Sequence, residues 1–209
     1  MPSAPHRKTR GRGRPVRSQS EIEDTRARIA ACALKLFRAE GYAAVSMRRL
    51  AQEAGCTVVT LYSYYDRKID ILRDLWAQVF EELFDILERQ PVGGRDPASR
   101  LAAIATGYVA FWLKRRDHYF LVFMSSEVTQ SDVSIFVKND ALLQRFAIFR
   151  DALAKALEGK ADDAALALKT DLLLCTLNGI AHNLITISAY PWTKPEKLVR
   201  AAVQGILGA

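Results

Sequence analysis

The sequence predicts an all-α protein of about nine helices, a three-helix N-terminal unit followed by a larger helical body. Three observations carry this. Apolar residues recur at three- and four-residue steps through most of the chain, and no stretch reads as a convincing strand. Helix-start signals stand where the periodic stretches begin: Ser46, Thr57 and Asp96-Pro97. The chain has 209 residues, half of them hydrophobic, enough for one large or two modest domains with a real core. The expected division is a basic arm over 1–20, a DNA-binding unit over 21–68 and a body over 69–209.

Residues 1–20 hold Arg7, Lys8, Arg10, Arg12, Arg14 and Arg17 and no acid. Nearly all of the net charge of +7 therefore sits there, and the remainder is close to balanced, 24 basic against 23 acidic residues. Rich in Ser, Gly and Pro, the arm has no apolar face to bury and is expected to be disordered when free. Its centre, Arg12-Gly13-Arg14-Pro15, resembles an AT-hook, in which Gly and Pro keep the chain narrow while arginines enter an A·T minor groove. The alternative is a nonspecific arm that adds affinity through counterion release; both point to DNA.

The first helix is expected over about 24–40, with Ile29, Ala33, Leu36 and Phe37 on one face. Residues 46–68, SMRRLAQEAGCTVVTLYSYYDRK, then read as two short helices broken by a glycine turn. Ser46 and Thr57 stand where orphan N–H groups need a short acceptor. Gly55 is placed to stop the first helix in a left-handed conformation that other residues resist. Ala51 must be small. The second helix is too short to bury itself, so Leu61 and Tyr65 should pack back while Val58, Val59, Thr60, Tyr62 and Tyr64 face outward, a set that can enter a major groove.

A long helix follows over about 68–90, with Leu72, Leu75, Trp76, Val79, Leu83, Ile86 and Leu87 in register, able to join two domains. Pro91, Gly93 and Gly94 end it. The fifth helix starts at Asp96-Pro97 and reaches about residue 116, presenting Leu101, Ile104, Tyr108, Phe111 and Trp112. A short sixth spans about 119–126 and a seventh about 133–158, with Phe146, Phe149 and Leu153 on one face. The eighth covers about 162–187 and is apolar nearly all round, which calls for burial on more than one side. The last covers about 194–207, with Thr193 and Glu196 at capping-box spacing and Pro195 in the first turn. Its face of Val199, Ala202, Val203, Ile206 and Leu207 is broad. A second copy of the chain would cover both helices.

From Thr25 to about Leu83 the order and spacing of landmarks resembles the DNA-binding domain of the TetR family of transcriptional repressors. The match runs through Thr25-Arg26, Ile29, Ala33, Phe37, Gly41-Tyr42, Leu50-Ala51, Ala54-Gly55, Thr60-Leu61-Tyr62, Tyr65 and Lys68. The resemblance implies that Arg48 reaches a base or phosphate, that Val58, Val59 and Thr60 line the groove, and that Tyr62, Tyr64 and Lys68 grip phosphates. Cys56, Val59 and Arg67-Lys68-Ile69 depart from the family pattern, and Asp66 is expected to cap the fourth helix in place of the usual serine. An apolar Val59 suits a thymine methyl better than a hydrogen-bonding base edge, so the operator is not transferable. The resemblance also implies a homodimer through the last two long helices and a pocket in the body for a small apolar or amphipathic effector. Two-fold symmetry then implies a palindromic operator.

Aromatic residues are dense between Tyr108 and Met124. Stripes at helical spacing usually form core, and a subset can line a cavity. On the eighth helix Asp171, Cys175, Asn178 and His182 make a polar stripe that, if buried, needs partners from another subunit, water or an effector. Tyr108, Trp112, Phe123, Asn178 and His182 are the candidate effector residues. The three cysteines, Cys32, Cys56 and Cys175, form neither a disulfide framework nor a zinc motif, so no metal or cofactor is expected. There is no nucleophile elbow, phosphate loop, zinc-protease motif or dinucleotide turn, and His6, His118 and His182 are scattered, so catalysis is not expected. No uninterrupted apolar run approaches a membrane span and no apolar signal core is present; the expected location is cytoplasmic. The expected function is a palindrome-binding, effector-released regulator, with an architectural DNA protein as the alternative and a helical enzyme third.

Overall fold

The computed structural model describes residues 18–89, 96–125, 128–129 and 140–208. The arm, with Arg12 and Arg14, lies outside the described residues, as do Pro91, Gly93, Gly94 and the expected start of the seventh helix. Among the described residues there are nine helices and no strand. They are α1 (Gln19–Glu40), α2 (Met47–Glu53), α3 (Val58–Tyr62), α4 (Lys68–Glu88), α5 (Pro97–Lys114), α6 (Arg116–Phe123), α7 (Asp140–Leu157), α8 (Asp163–Thr186) and α9 (Pro195–Gly208).

Helix starts follow local chemistry, with four corrections. α1 begins five residues before the expected position, because Ser18 and Glu21 form a reciprocal capping box, so residues 18–20 belong to the helix and not to the arm. Asp66 does not cap α4. The backbone turns one residue later, at Arg67, whose N–H donates to Asp70 Oδ2 at 3.0 Å. The first bond of α9 runs from Leu198 N–H to the Lys194 carbonyl, at 3.2 Å. That puts Lys194 at the cap and leaves Thr193 and Glu196 one position out of register for a box. Asp96 and Asp162 do cap α5 and α8, accepting from Ser99 N–H and Ala165 N–H. α6 starts at Arg116, three residues earlier than the periodicity suggested, directly after α5 ends.

Two hydrophobic cores form, and α4 belongs to both. The first gathers Ile29, Ala33, Phe37, Leu50, Ala51, Leu61 and Tyr65 and continues along α4 through Ile69, Leu72 and Trp76. The second takes the rest of α4, from Val79 to Leu87, with α5, α7, α8 and α9 around it. The first core thus crosses the boundary expected at residues 68/69. Leu121 of α6 also lies in the first core, and its carbonyl accepts the Trp76 indole N–H at 3.2 Å. Arg38 of α1 pairs with Asp117 of α6 at 2.5 Å. In the body Arg145 of α7 clamps Asp85 and Glu88 of α4 at 2.9 Å, and Arg115 pairs with Glu82. Lys169 of α8 donates to the Ile206 carbonyl at 2.7 Å, supplying a cation to the end of α9 where carbonyls lack partners.

α8 buries only Leu173, Leu177, Ala181 and Ile185 among its 24 residues. By length and composition it is apolar enough to cross a membrane, with a mean hydropathy of 1.4 over its best window, although Lys169 and Asp171 interrupt the run. Leu168 and Leu172 stand 70% and 49% exposed on the single chain. The polar stripe differs from expectation: Asp171, Cys175 and His182 are exposed and Asn178 is half-buried, so the burial cost attributed to the stripe does not arise within one subunit.

Two outcomes follow from this architecture. Gly55 sits at φ +64 with open space where a Cβ would stand, so Gly55→Ala carries only the backbone cost of the left-handed region. Chemical denaturation should register a loss of about 1 kcal/mol. His118 lies where α6 meets α1 and α4, and burial, reinforced by Arg115, holds its imidazole below its ordinary value, with Arg38 acting the same way and Glu82 and Asp117 opposing. The fold therefore prefers the neutral ring. The associated stability is complete above the ordinary imidazole value of about 6.5 and is lost as pH falls through the lower folded value. Melting temperature should drop on acidification below that point, and less steeply in His118→Gln.

Candidate nucleic-acid interface and the aromatic cluster behind it

α2 and α3 form a tightly specified turn. Gly55 N–H bonds the Gln52 carbonyl at 3.2 Å and Cys56 N–H the Ala51 carbonyl at 3.0 Å, the paired closure that a left-handed residue after a helix permits. Ser46 Oγ accepts from Arg49 N–H at 3.2 Å and Thr57 Oγ1 from Thr60 N–H at 3.0 Å. Each cap stabilises its helix by about 1 kcal/mol, a large share of what holds a five-residue helix in place. Ser46 and Thr57 are thus engaged first in building the motif.

The outward set divides. Val59 is 81% exposed and Tyr62 48%, projecting from α3 with nothing of the fold against most of their surface. Val58 and Tyr64 are not fully outward as expected: both are half-buried and pack on the first core, because Leu61 and Tyr65 draw one side of the short helix inward. Thr60 is half-buried, with its hydroxyl 2.9 Å from that of Thr57. Arg48 on α2 is exposed.

Most cations of this domain serve the fold. Lys68 Nζ donates to the Tyr42 carbonyl at 2.7 Å and the Ala43 carbonyl at 3.3 Å and lies 4.2 Å from the centre of the Tyr42 ring. It braces the start of α4 against the turn after α1, which differs from the phosphate grip expected of it. Arg26 reaches the Tyr64 carbonyl at 3.3 Å and lies over the Tyr65 ring. Lys35 and Arg49 both bond Glu53, and those two partners hold its carboxyl below the usual range. The Tyr65 hydroxyl donates to Asp74 Oδ2 at 2.7 Å, and burial, then that carboxylate, push the phenol above its ordinary range. Arg26, Asp74 and the Leu121 contact were not foreseen. The first two bear no local pattern, and α6 is too short for periodicity to expose its inward residue.

In the body, the five candidate effector residues meet at one place where α5, α6 and α8 converge. The Tyr108 hydroxyl donates to Asn178 Oδ1 at 2.6 Å. Tyr119, which the sequence reading left among the general aromatics, is the partner of His182, with its hydroxyl 3.1 Å from Nδ1. Trp112 is fully buried between them, and Phe123, 43% exposed, lies 5.2 Å from it, centre to centre. Clefts open elsewhere. One of about 750 Å³ runs between α5 and α9 along Ala102, Thr106 and Ala110, and one of about 270 Å³ lies between α1 and α6. Among the described residues no group of His, Cys, Asp and Glu is arranged to hold a metal.

Residues 29–75 match the family model described as bacterial regulatory proteins, tetR family. Over 118 residues the chain is 28% identical to the HTH-type transcriptional regulator HbdR of Aromatoleum sp. (strain CIB), covering 56% of this chain and 52% of that protein. Over 87 residues it is 34% identical to the HTH-type transcriptional repressor KstR of Rhodococcus jostii (strain RHA1), covering 42% and 40% respectively. The chain thus spans about half, or less, of these curated relatives. Among solved structures, FadR of Thermus thermophilus, a TetR-family transcriptional repressor in complex with lauroyl-CoA, has the same fold, with a TM-score of 0.65 at 18% identity over 87% of this chain and 93% of that one. Over residues 29–75 the chain is thus similar to the tetR family of bacterial regulatory proteins, and its likeness to FadR is one of fold.

Proposed function

We propose that this protein is a transcriptional regulator, acting as a repressor, that binds a two-fold operator as a homodimer and is released by a small apolar or amphipathic effector. The observation that carries the reading is the capped α2–α3 turn presenting Val59 and Tyr62 to solvent from a rigid base. Such a base is what major-groove insertion of a short helix requires. Arg48, Val58, Val59, Thr60, Tyr62 and Tyr64 form the DNA face, with Val59 as the base-reading tip. Lys68 contributes by fixing the angle of α4, its ammonium being engaged by carbonyls. Because most folded cations are occupied internally, Arg12 and Arg14 and their neighbours in the arm supply the free positive charge.

A second copy of the chain is the partner assigned to the bare apolar surface of α8 and the flank of α9. The exposed Leu168 and Leu172 and the low burial of α8 support this. Two α3 helices related by a dyad then meet half-sites about 34 Å apart. The effector acts at the cluster of Tyr108, Trp112, Phe123, Asn178 and His182, joined by Tyr119. Its route to the DNA face is short, since α6 carries both Phe123 and Leu121, and Leu121 is bonded to Trp76 in the first core. A ligand that fits one dimer geometry better than the other shifts recognition-helix spacing by its difference in affinity. The ligand named for the FadR structure, an acyl thioester, is in keeping with an apolar site that offers few polar groups.

Footprinting the purified protein on its own flanking DNA should give a short, two-fold protected site; diffuse A·T-rich coverage would favour an architectural role, and no protection would remove the DNA-binding reading. Tyr62→Ala should weaken binding to all sequences, whereas Val59→Thr should change which sequence is preferred. Replacing Arg12 and Arg14 together by alanine should lower the slope of log affinity against log salt by about 2, read from titrations at several ionic strengths.

A further inference from the structure

The aromatic cluster contains a donor that the fold leaves unused. Trp112 is 0% exposed, its indole Nε1 is buried, and it makes no hydrogen bond. An indole nitrogen can only donate, and a buried donor without an acceptor is rare. The two other tryptophans supply an internal comparison. Trp76 Nε1–H donates to the Leu121 carbonyl at 3.2 Å and Trp192 Nε1–H to the Ile187 carbonyl at 2.9 Å.

The surroundings explain why Trp112 stays unsatisfied. The Tyr108 hydroxyl donates to Asn178, and that of Tyr119 is shared with His182. The indole N–H lies toward the Tyr108 oxygen, near enough to oppose the dominant effect of burial on that phenol, but without the geometry of an ordinary hydrogen bond. The rings packed on Trp112 come from Phe80, Tyr108, Phe111, Tyr119 and Phe123, at 5.1 to 6.2 Å between centres. Among the described residues the one cation against these rings, Arg115 at 4.6 Å from the centre of Phe111, is already paired with Glu82, so a carboxylate would be buried there without a free countercharge, whereas a neutral carbonyl needs none. Phe123 closes the solvent side. It is the final residue of α6, 43% exposed, and the chain beyond it at Met124 has left the helix.

We propose that Trp112 Nε1–H is the specificity-determining donor for a ligand with an apolar body and one neutral carbonyl acceptor, admitted as the Phe123 ring swings outward. This rests on reading the cluster as the effector site. Access at the end of a helix requires only a side-chain rotation, and the incoming carbonyl takes the place of a partner that no residue provides.

The test uses acetophenone and ethylbenzene, which share a ring and a size and differ by the carbonyl. Nitrogen-15 spectra of the full chain contain three tryptophan indole signals, and Trp112→Phe identifies the relevant one. Acetophenone should move the Trp112 signal downfield in a saturable way and ethylbenzene should not. Trp112→Phe, which retains the aromatic packing, should weaken acetophenone binding roughly three- to tenfold and leave ethylbenzene nearly unchanged. Phe123→Ala should tighten both. Acetophenone binding without a response at Trp112, or no binding up to millimolar concentration, overturns the proposal, and the wild-type spectra decide this even if a variant fails to fold. Operator affinity measured alongside separates the two readings. Operator release without a Trp112 response sinks the donor assignment and leaves the effector reading, while a Trp112 response with unchanged operator affinity supports the donor site and sinks the effector reading.

Discussion

A 21-residue helix is stiff along its length, and α4 commits its first two turns to one hydrophobic core and its remaining turns to another. Everything else is arranged about that shared rod. Ile69, Leu72 and Trp76 hold the N-terminal domain at one end, while Val79, Leu83 and Leu87 anchor the body at the other. Rotation of one unit against the other has to break packing on fully buried residues or turn the whole rod. Lys68 at its start and Arg145 near its end fix the rod at both extremities through carbonyls and carboxylates. α6 is a second, shorter connection, joined to the first core by Leu121 and to α1 by Asp117. The two cores are thus joined by two connections, one long and one short.

The α2–α3 unit shows how a helix of five residues is kept in shape. It has too few internal bonds to persist alone. Thr57 caps its start, Ser63 Oγ closes on the Thr60 carbonyl at 2.6 Å, and Leu61 is fully buried beneath it. Each of these devices is local except the last. The outward surface of α3 therefore depends on α1 and α2 being in place beneath it, and on the left-handed Gly55 to set the angle between the helices. Charge is used in the same economical way. Lys35, Arg38 and Arg49 each sit beside a carboxylate, and surface pairs of this kind contribute little stability but leave little free charge for DNA.

How much of this was legible in the sequence follows from the range of the interactions involved. Ser46, Thr57 and Asp96 could be read as caps because a cap involves residues three apart, and Gly55 because one backbone angle suffices. The periodicity of α1 and α5 matched their buried faces closely, while on α4 it missed Ile69, Ile71, Phe80 and Phe84 and included Ile86, which is only partly buried. Asp66 and Thr193 failed by one position, since the turn leading into each helix is set by packing that a linear pattern does not contain. Val58, Thr60 and Tyr64 are half-buried rather than fully outward because a helix of a turn and a half has no clean inside and outside. The candidate effector residues were chosen for chemistry, and their convergence depended on α5, α6 and α8 meeting. Tyr119 was seen only as one aromatic among several, and the bond from Trp76 to Leu121 spans 45 positions with no pattern to reveal it.

Val59 stands almost free of the structure that presents it, 81% exposed on a helix whose stability comes from other residues. Substitutions there leave the cores, the caps and the turn untouched. Folding and target choice are thereby carried by separate sets of atoms, and drift at the tip is not opposed by loss of the native state. On the proposed reading, duplicated copies of such a gene diverge toward new promoters through changes at this one outward position while every step remains a well-folded protein.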